Sequence, residues 1–314
     1  MSTSSPRQTA LPDSHPCPLA LVLGSGGVRS VAALGIVEQL ALEGIRPDLV
    51  VGCSSGALFG AQIACGMHGE RALRLATTLW SAELTQQRRW RAYAQMLMPG
   101  LAGFGPDFAL RDDRLIVRRI QQAFGDTLLE QLPTPLRVAV TEAATGQPVT
   151  LAQGRLVDAL RASMAVPILF PPVAIDGRHL VDGVLSDPLP IAAAPEARLI
   201  LTLGFQGGMP RRVDRLSRLV ARTSTTLINN LMQARVEATQ ARGQQVIHLE
   251  LALDRHVGLW DTSALPYLYE AGQRAVAQRL HDIQVALHSS HAVDQPTRAG
   301  AGPSHDGTRV SAVI

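Results

Sequence analysis

The five residues Gly52-Cys53-Ser54-Ser55-Gly56 set a serine hydroxyl between two glycines. In a Gly-x-Ser-x-Gly pattern a strand turns sharply into a helix. The turn holds the middle serine in a strained conformation with its Oγ exposed at the sheet's edge. The flanks fit that geometry. Asp48-Leu49-Val50-Val51 reads as a buried strand leading in, and the small residues of 57–64 read as a helix leading out. Glycine flanks the serine because the backbone turns too tightly there for a Cβ. The chemistry open to such a serine is nucleophilic acyl transfer through a covalent acyl-enzyme.

That chemistry needs a stabilised oxyanion and a base. Leu21-Val22-Leu23-Gly24-Ser25-Gly26-Gly27-Val28-Arg29-Ser30 forms a first strand-to-helix turn. A dinucleotide fingerprint requires Gly-x-Gly-x-x-Gly, and Arg29 stands where the third glycine belongs. Consecutive glycines instead let backbone N–H groups at a helix N-terminus point at a developing negative charge. Two residues qualify as base. Asp182 lies in His179-Leu180-Val181-Asp182-Gly183-Val184, and His248 in Val246-Ile247-His248-Leu249-Glu250-Leu251. Together with Ser54 they follow the Ser, Asp, His order of α/β hydrolases. His248, however, sits inside an apolar run, where its side chain belongs to a strand rather than to a loop at a strand end. Asp176-Gly177, between two short apolar runs, reads as a plain hairpin turn. As sole base, Asp182 would need a pKa above the usual ~3.9 of a carboxylate. Burial against Leu180, Val181 and Val184 would supply that. The residues therefore admit a Ser–Asp dyad, a Ser-His-Asp triad, or a non-catalytic site that binds an anion on the glycine loop.

The elements that must position these groups alternate along the chain. Strands are expected at 19–23, 48–51, 136–141, 149–151, 199–203 and 246–251. Helices are expected at 28–43, 55–65, 155–164, 214–242 and 264–287. Short, unbroken apolar strands between helices predict an α/β fold, a mostly parallel central sheet with helices on both faces. Ligands bind at the carboxyl ends of such strands, where Gly24 and Ser54 both fall.

The chain has 314 residues, 46% of them hydrophobic, enough for one well-buried core. It holds no apolar stretch long enough for a transmembrane helix. Residues 1–16 are polar and rich in proline and serine, unlike a secretory signal. They read as a disordered lead, and 289–314 as a disordered tail. Cys17, Cys53 and Cys65 show neither metal-ligand spacing nor a disulfide framework, so no metal or other cofactor is expected. The net charge is +3 and all 29 basic residues are arginine. Without a long basic run, nucleic-acid binding finds no support. A cytosolic protein, free or held at the inner face of a membrane, is the expectation.

At these residues the chain resembles the patatin-like phospholipases, in particular the bacterial proteins grouped with the neuropathy target esterase branch. Gly24-Ser25-Gly26-Gly27-Val28-Arg29 resembles the family's glycine-rich oxyanion loop. Gly52-Cys53-Ser54-Ser55-Gly56 resembles its nucleophile elbow, and Asp182-Gly183 its catalytic Asp-Gly. Arg161-Ala162-Ser163-Met164-Ala165-Val166-Pro167 looks like the segment that precedes that aspartate. The resemblance implies a patatin-like domain over 17–288, with Ser54 as nucleophile and Asp182 as base. It places the oxyanion hole at the N–H groups of Gly26, Gly27 and Val28, with Arg29 as the basic residue beside it. It implies hydrolysis of carboxylic esters of phospholipids or lysophospholipids without a cofactor. Ser30 departs from the family's usual glycine, with little expected consequence inside a helix.

Residues 80–108 stand apart in composition. Trp80, Trp90, Tyr93, Met96, Leu97, Met98, Leu101, Phe104 and Phe108 mix with Arg88, Arg89 and Arg91, broken by proline and glycine. Either this is a cap that contacts a lipid surface, or it is an ordinary helix and loop packed on the core.

Overall fold

The computed structural model describes residues 17–205 and 213–292. The expected lead at 1–16 lies outside them, as does the expected tail beyond 292. Residues 289–292 belong to the last helix instead.

Eight strands form one sheet: β1 (Cys17–Leu23), β2 (Leu49–Cys53), β3 (Leu136–Glu142), β4 (Pro148–Leu151), β5 (Val173–Ile175), β6 (Arg178–Asp182), β7 (Ala197–Leu203) and β8 (Gln245–His248). The order is β5-β6-β3-β2-β1-β7-β8, with β4 also on β3. β1, β2, β3, β7 and β8 run parallel, and β4, β5 and β6 run antiparallel to their partners. The helices among the described residues are α1 (Ala32–Leu42), α2 (Ser55–Ala64), α3 (Gly69–Leu79), α4 (Trp90–Leu97), α5 (Pro99–Ala102), α6 (Arg114–Phe124), α7 (Leu156–Ser163), α8 (Leu216–Ala241) and α9 (Leu265–Ala292).

The two-residue period of a strand explains the layering. On β1, Leu19, Leu21 and Leu23 enter the larger core with α1, α2 and α9. Ala20 and Val22 point the other way, into a smaller core completed by Met232 of α8. Both faces are covered, as a parallel sheet requires.

Two of the expected elements that carry candidate residues differ from the sequence expectation. The helix expected from 28 begins as a 3₁₀ turn over Gly27–Val31 before α1 takes over. The Ser30 hydroxyl reaches back to the Gly24 carbonyl at 3.4 Å within that turn. The strand expected over 246–251 stops at His248. Its neighbour β7 ends at Leu203, and Leu249 N–H makes a last bond to Thr202 O.

The register at β3 matters most for the site. β2 pairs with Leu136 to Ala139 of β3, and β6 pairs with Val140 to Glu142. β4 spans Val138 to Thr141, so it must occupy the opposite edge. β2 and β6 therefore share one edge of β3 and meet end to end. Cys53 lies opposite Ala139, and Asp182 lies opposite Val140. This collinear meeting brings residues 128 apart in sequence into contact.

Candidate active site

Ser54 follows β2 directly with φ +56° and ψ −123°, a conformation costly for a residue with a Cβ. Its Oγ donates to Asp182 Oδ2 at 2.7 Å. Its N–H donates to the buried Ser163 Oγ at 2.8 Å, and that hydroxyl in turn donates to Ala139 O at 2.7 Å. Ser163, at the end of α7, thus ties the strained turn to β3.

Asp182 is fully buried. Its Oδ1 accepts from Val184 N–H at 2.9 Å and faces the Cys53 thiol at 3.8 Å. Burial pushes its carboxyl up to about 7, against the opposing pull of the bonds from Val184, Ser54 and Cys53. The Cys53 thiol is raised well above its ordinary range by the same burial and by Asp182, so it stays protonated. The glycine after Asp182 is required by a close approach: a Cβ on Gly183 would lie 2.6 Å from Ala139 O. Asp176 and Gly177 have φ +49° and +73° and make the turn between β5 and β6.

The glycine loop packs against the elbow. A Cβ on Gly56 would lie 2.4 Å from Leu23 O, and one on Gly52 would lie 2.4 Å from the Ala57 Cα. Gly24 N–H is spent on Leu203 O. Of the three donors expected for an oxyanion, two already have partners. Gly26 N–H donates to Ser55 Oγ at 3.1 Å, and Val28 N–H to Leu259 O at 3.0 Å. Gly27 N–H makes no hydrogen bond to a described residue. Ser30 has a larger part than expected: its hydroxyl bonds Ser55 Oγ at 2.9 Å and so joins the glycine loop to α2. Arg29 Nε donates to Gly26 O at 3.2 Å, and its guanidinium lies 4.9 Å from the centre of the Phe205 ring.

His248 is not part of this cluster. It ends β8, three strands from β2, or roughly 14 Å across the sheet. Its Nδ1 is paired with Thr202 Oγ1 at 2.8 Å, and burial lowers its pKa. His248 therefore does not join Ser54 and Asp182. Trp80 also leaves its expected group. It is buried, stacks on Trp260 at 4.7 Å, and donates its indole N–H to Leu259 O at 2.9 Å. No group of three potential metal ligands occurs among the described residues.

A serine with positive φ at a strand–helix turn thus meets a buried carboxylate on a mostly parallel sheet covered on both faces. The patatin-like phospholipase family matches residues 21–195, and the chain belongs to that family. An uncharacterized NTE family protein of Mycobacterium tuberculosis is 34% identical over 191 residues, covering 60% of this chain and 49% of the relative. The lysophospholipase nte1 of Aspergillus fumigatus is 29% identical over 179 residues, 55% of this chain and 11% of that protein. The chain spans about half the length of the mycobacterial relative. The crystal structure of VipD from Legionella pneumophila superposes with a TM-score of 0.46 at 14% identity, over 88% of this chain and 67% of that one.

Proposed function

We propose that this chain is a serine acyl hydrolase that cleaves carboxylic esters of phospholipids or lysophospholipids with a Ser54–Asp182 dyad. The observation that carries the reading is the 2.7 Å bond from Ser54 Oγ to a buried carboxylate whose pKa lies near neutrality. A base is most effective when its pKa lies near the working pH. Ser54 Oγ attacks the ester carbonyl as Asp182 takes its proton. The tetrahedral oxyanion is assigned to the N–H of Gly27, which makes no hydrogen bond to a described residue. The protonated Asp182 then hands its proton to the leaving alcohol, and an acyl-enzyme remains. Water attacks that ester with Asp182 again as base. Gly26 and Val28 hold the loop in place through Ser55 and Leu259, so their N–H groups serve the oxyanion only if those bonds open. One oxyanion donor is typically worth ~10²–10³ in rate.

The lipid character of the substrate is supported by family membership and by the fungal relative, a lysophospholipase. We also propose that residues 80–108 meet a lipid surface through Trp90, Leu97 and Leu101, which stand exposed on α4 and α5, while Trp80 stays in the core.

Fluorophosphonate labelling and hydrolysis of a short p-nitrophenyl ester test the reading. Ser54→Ala and Asp182→Asn are expected to lose both signals, while His248→Ala keeps them. Loss in His248→Ala, with that variant folded, would overturn the dyad. A wild type that neither labels nor hydrolyses, even with vesicles present, would leave a binding role in place of catalysis.

A further inference from the structure

Asp182 and the glycine loop are joined by one short stretch of chain, residues 183–188, which follows β6. At its start Val184 N–H donates to Asp182 Oδ1 at 2.9 Å. At its end Pro188 O accepts from Ser25 N–H at 3.1 Å, and a Cβ on Gly24 would lie 3.0 Å from that same carbonyl. The stretch folds back on itself: the N–H groups of Ser186 and Asp187 both donate to Gly183 O, at 3.1 and 2.8 Å. It is therefore a strap with Asp182 at one end and the glycine loop at the other. A shift of the strap moves one against the other.

Two side chains from outside hold the strap. Thr141 of β3 donates to Asp182 O at 2.9 Å, which leaves Ser186 Oγ to donate to Thr141 Oγ1 at 2.8 Å. Arg235 of α8 clasps the same residues through charge. Its Nη2 donates to Ser186 O at 3.0 Å, and its Nε stands 3.3 Å from Asp187 Oδ1. That Nε and that Oδ1 are both buried, and neither makes a hydrogen bond to a described residue, so each meets the other as a charge. Burial pushes the Asp187 carboxyl up to about 6 against the pull of Arg235, so near pH 7.5 it is an anion. The packing of α8 on the sheet is served by Ile228, Met232 and Val236. Arg235 adds a charged contact that this packing does not require. A buried ion pair is a weak source of stability, because desolvation offsets its attraction. What the pair supplies is a fixed place for Ser186 and Asp187.

We propose that Arg235 and Asp187 are a positioning pair for the reaction, holding the strap so that Asp182 and the glycine loop keep their spacing around Ser54. The role rests on the hydrolase reading above. Neither side chain meets the ester. Arg235 acts through Ser186 and Asp187, and these through Val184 N–H on the carboxylate and Pro188 O on the loop. Misplacing reacting groups by ~1 Å can cost ~10²-fold in rate. Release of the strap is therefore expected to lower kcat and to leave KM for a short ester nearly unchanged.

The test uses the full chain with p-nitrophenyl butyrate at pH 7.5, together with thermal unfolding and amide hydrogen exchange. Arg235→Met is expected to lower kcat at least tenfold with KM within twofold. Exchange is expected to speed at least tenfold over 183–187 and at Ser25. The thermal midpoint falls as well, because Asp187 loses its cation. Adding Asp187→Asn to Arg235→Met is expected to restore the midpoint, since no buried carboxylate is left unpaired. The double variant nonetheless stays at least tenfold slow, since Ser186 O is still unclasped. A pair that served stability alone would recover its rate together with its midpoint, and that result overturns the proposal. So does a kcat within twofold of the wild type in folded Arg235→Met. Should Arg235→Met fail to fold, the double variant decides. If the wild type neither labels with a fluorophosphonate nor hydrolyses the ester, the hydrolase reading fails and the catalytic role of the pair falls with it, while exchange in Arg235→Met still decides whether the clasp exists.

Discussion

Asp182 is buried in a place that suits its chemistry and costs the fold. A carboxyl that titrates near 7 in the folded chain, and near ~3.9 when unfolded, binds more protons folded than unfolded between those values. Stability therefore falls as pH rises from about 4 to 7, by up to ~4 kcal/mol from this one group. Asp182→Asn keeps the acceptor for Val184 N–H and removes the charge. It is expected to raise the thermal midpoint at pH 8, where the wild type carries the buried anion, and to leave it nearly unchanged at pH 4. Over the same range wild-type kcat/KM is expected to rise with pH and level off above about 7, because the base proposed above must be ionised. A midpoint that rises equally at both pH values would sever the link between burial and basicity. At this scale the sequence was readable where the pattern is local. The elbow and the Asp-Gly pair each span a few residues, and both stand where their patterns put them. Ser163 was not readable as a support, because the N–H it accepts belongs to a residue 109 positions away. The same holds for Leu259, whose carbonyl takes the Val28 N–H only once α9 has packed.

α1 and α9 set the position of the glycine loop, and glycines govern how closely they pack. A Cβ on Gly35 of α1 would lie 2.0 Å from Tyr269 O, and one on Gly272 of α9 would lie 2.1 Å from Ala32 O. The two backbones touch at these points, and neither can rotate away, because Leu265, Leu268 and Val276 are buried in the same core. Gly272→Ala must push α9 outward, at a cost of ~1–3 kcal/mol for overpacking. The loop before α9 carries Leu259, so the shift is expected to loosen Val28 and lower kcat severalfold, with KM for a short ester little changed. A variant as stable and active as the wild type, measured by urea unfolding and ester hydrolysis, would show that the helices slide freely. Which elements exist was legible mainly for the strands, whose unbroken apolar runs have few other readings, and for the β5–β6 hairpin with its Asp-Gly turn. The stretch from Cys65 to Leu136 was less legible. α6 buries only Ile116, Ile120 and Phe124, a narrow stripe set among arginines. The end-to-end meeting of β2 and β6 leaves no local trace in the sequence, since it depends on where both strands stop along β3.

At the scale of the whole molecule, two stretches carry exposed apolar side chains. In the first, α4 buries only Ala92 and Gln95 and leaves Trp90 74%, Leu97 82% and, on α5, Leu101 86% exposed. In the second, α8 follows β7, whose end lies against Gly24, and returns along the sheet toward β8. Its 26 residues span ~39 Å, against ~23 Å for a seven-residue strand, so one end outreaches the sheet. Leu216, Leu219 and Val220, near its start, are exposed. Arg88, Arg89 and Arg91 belong to the first stretch, and Arg215, Arg218 and Arg222 to the second. No helix among the described residues is long and apolar enough to cross a membrane. Two exposed apolar stretches with arginines close by in sequence suit an anionic bilayer. Binding to vesicles of phosphatidylglycerol is therefore expected, weaker at high salt as screening sets in. Trp90→Glu and Leu216→Glu should each reduce it at least fivefold, and the pair should nearly abolish it, while hydrolysis of a soluble short-chain ester continues. Sedimentation with vesicles at two salt concentrations decides the matter. If both variants sediment like the wild type, these stretches are not the anchor, and the substrate must reach Ser54 as a monomer or a micelle rather than from a bilayer.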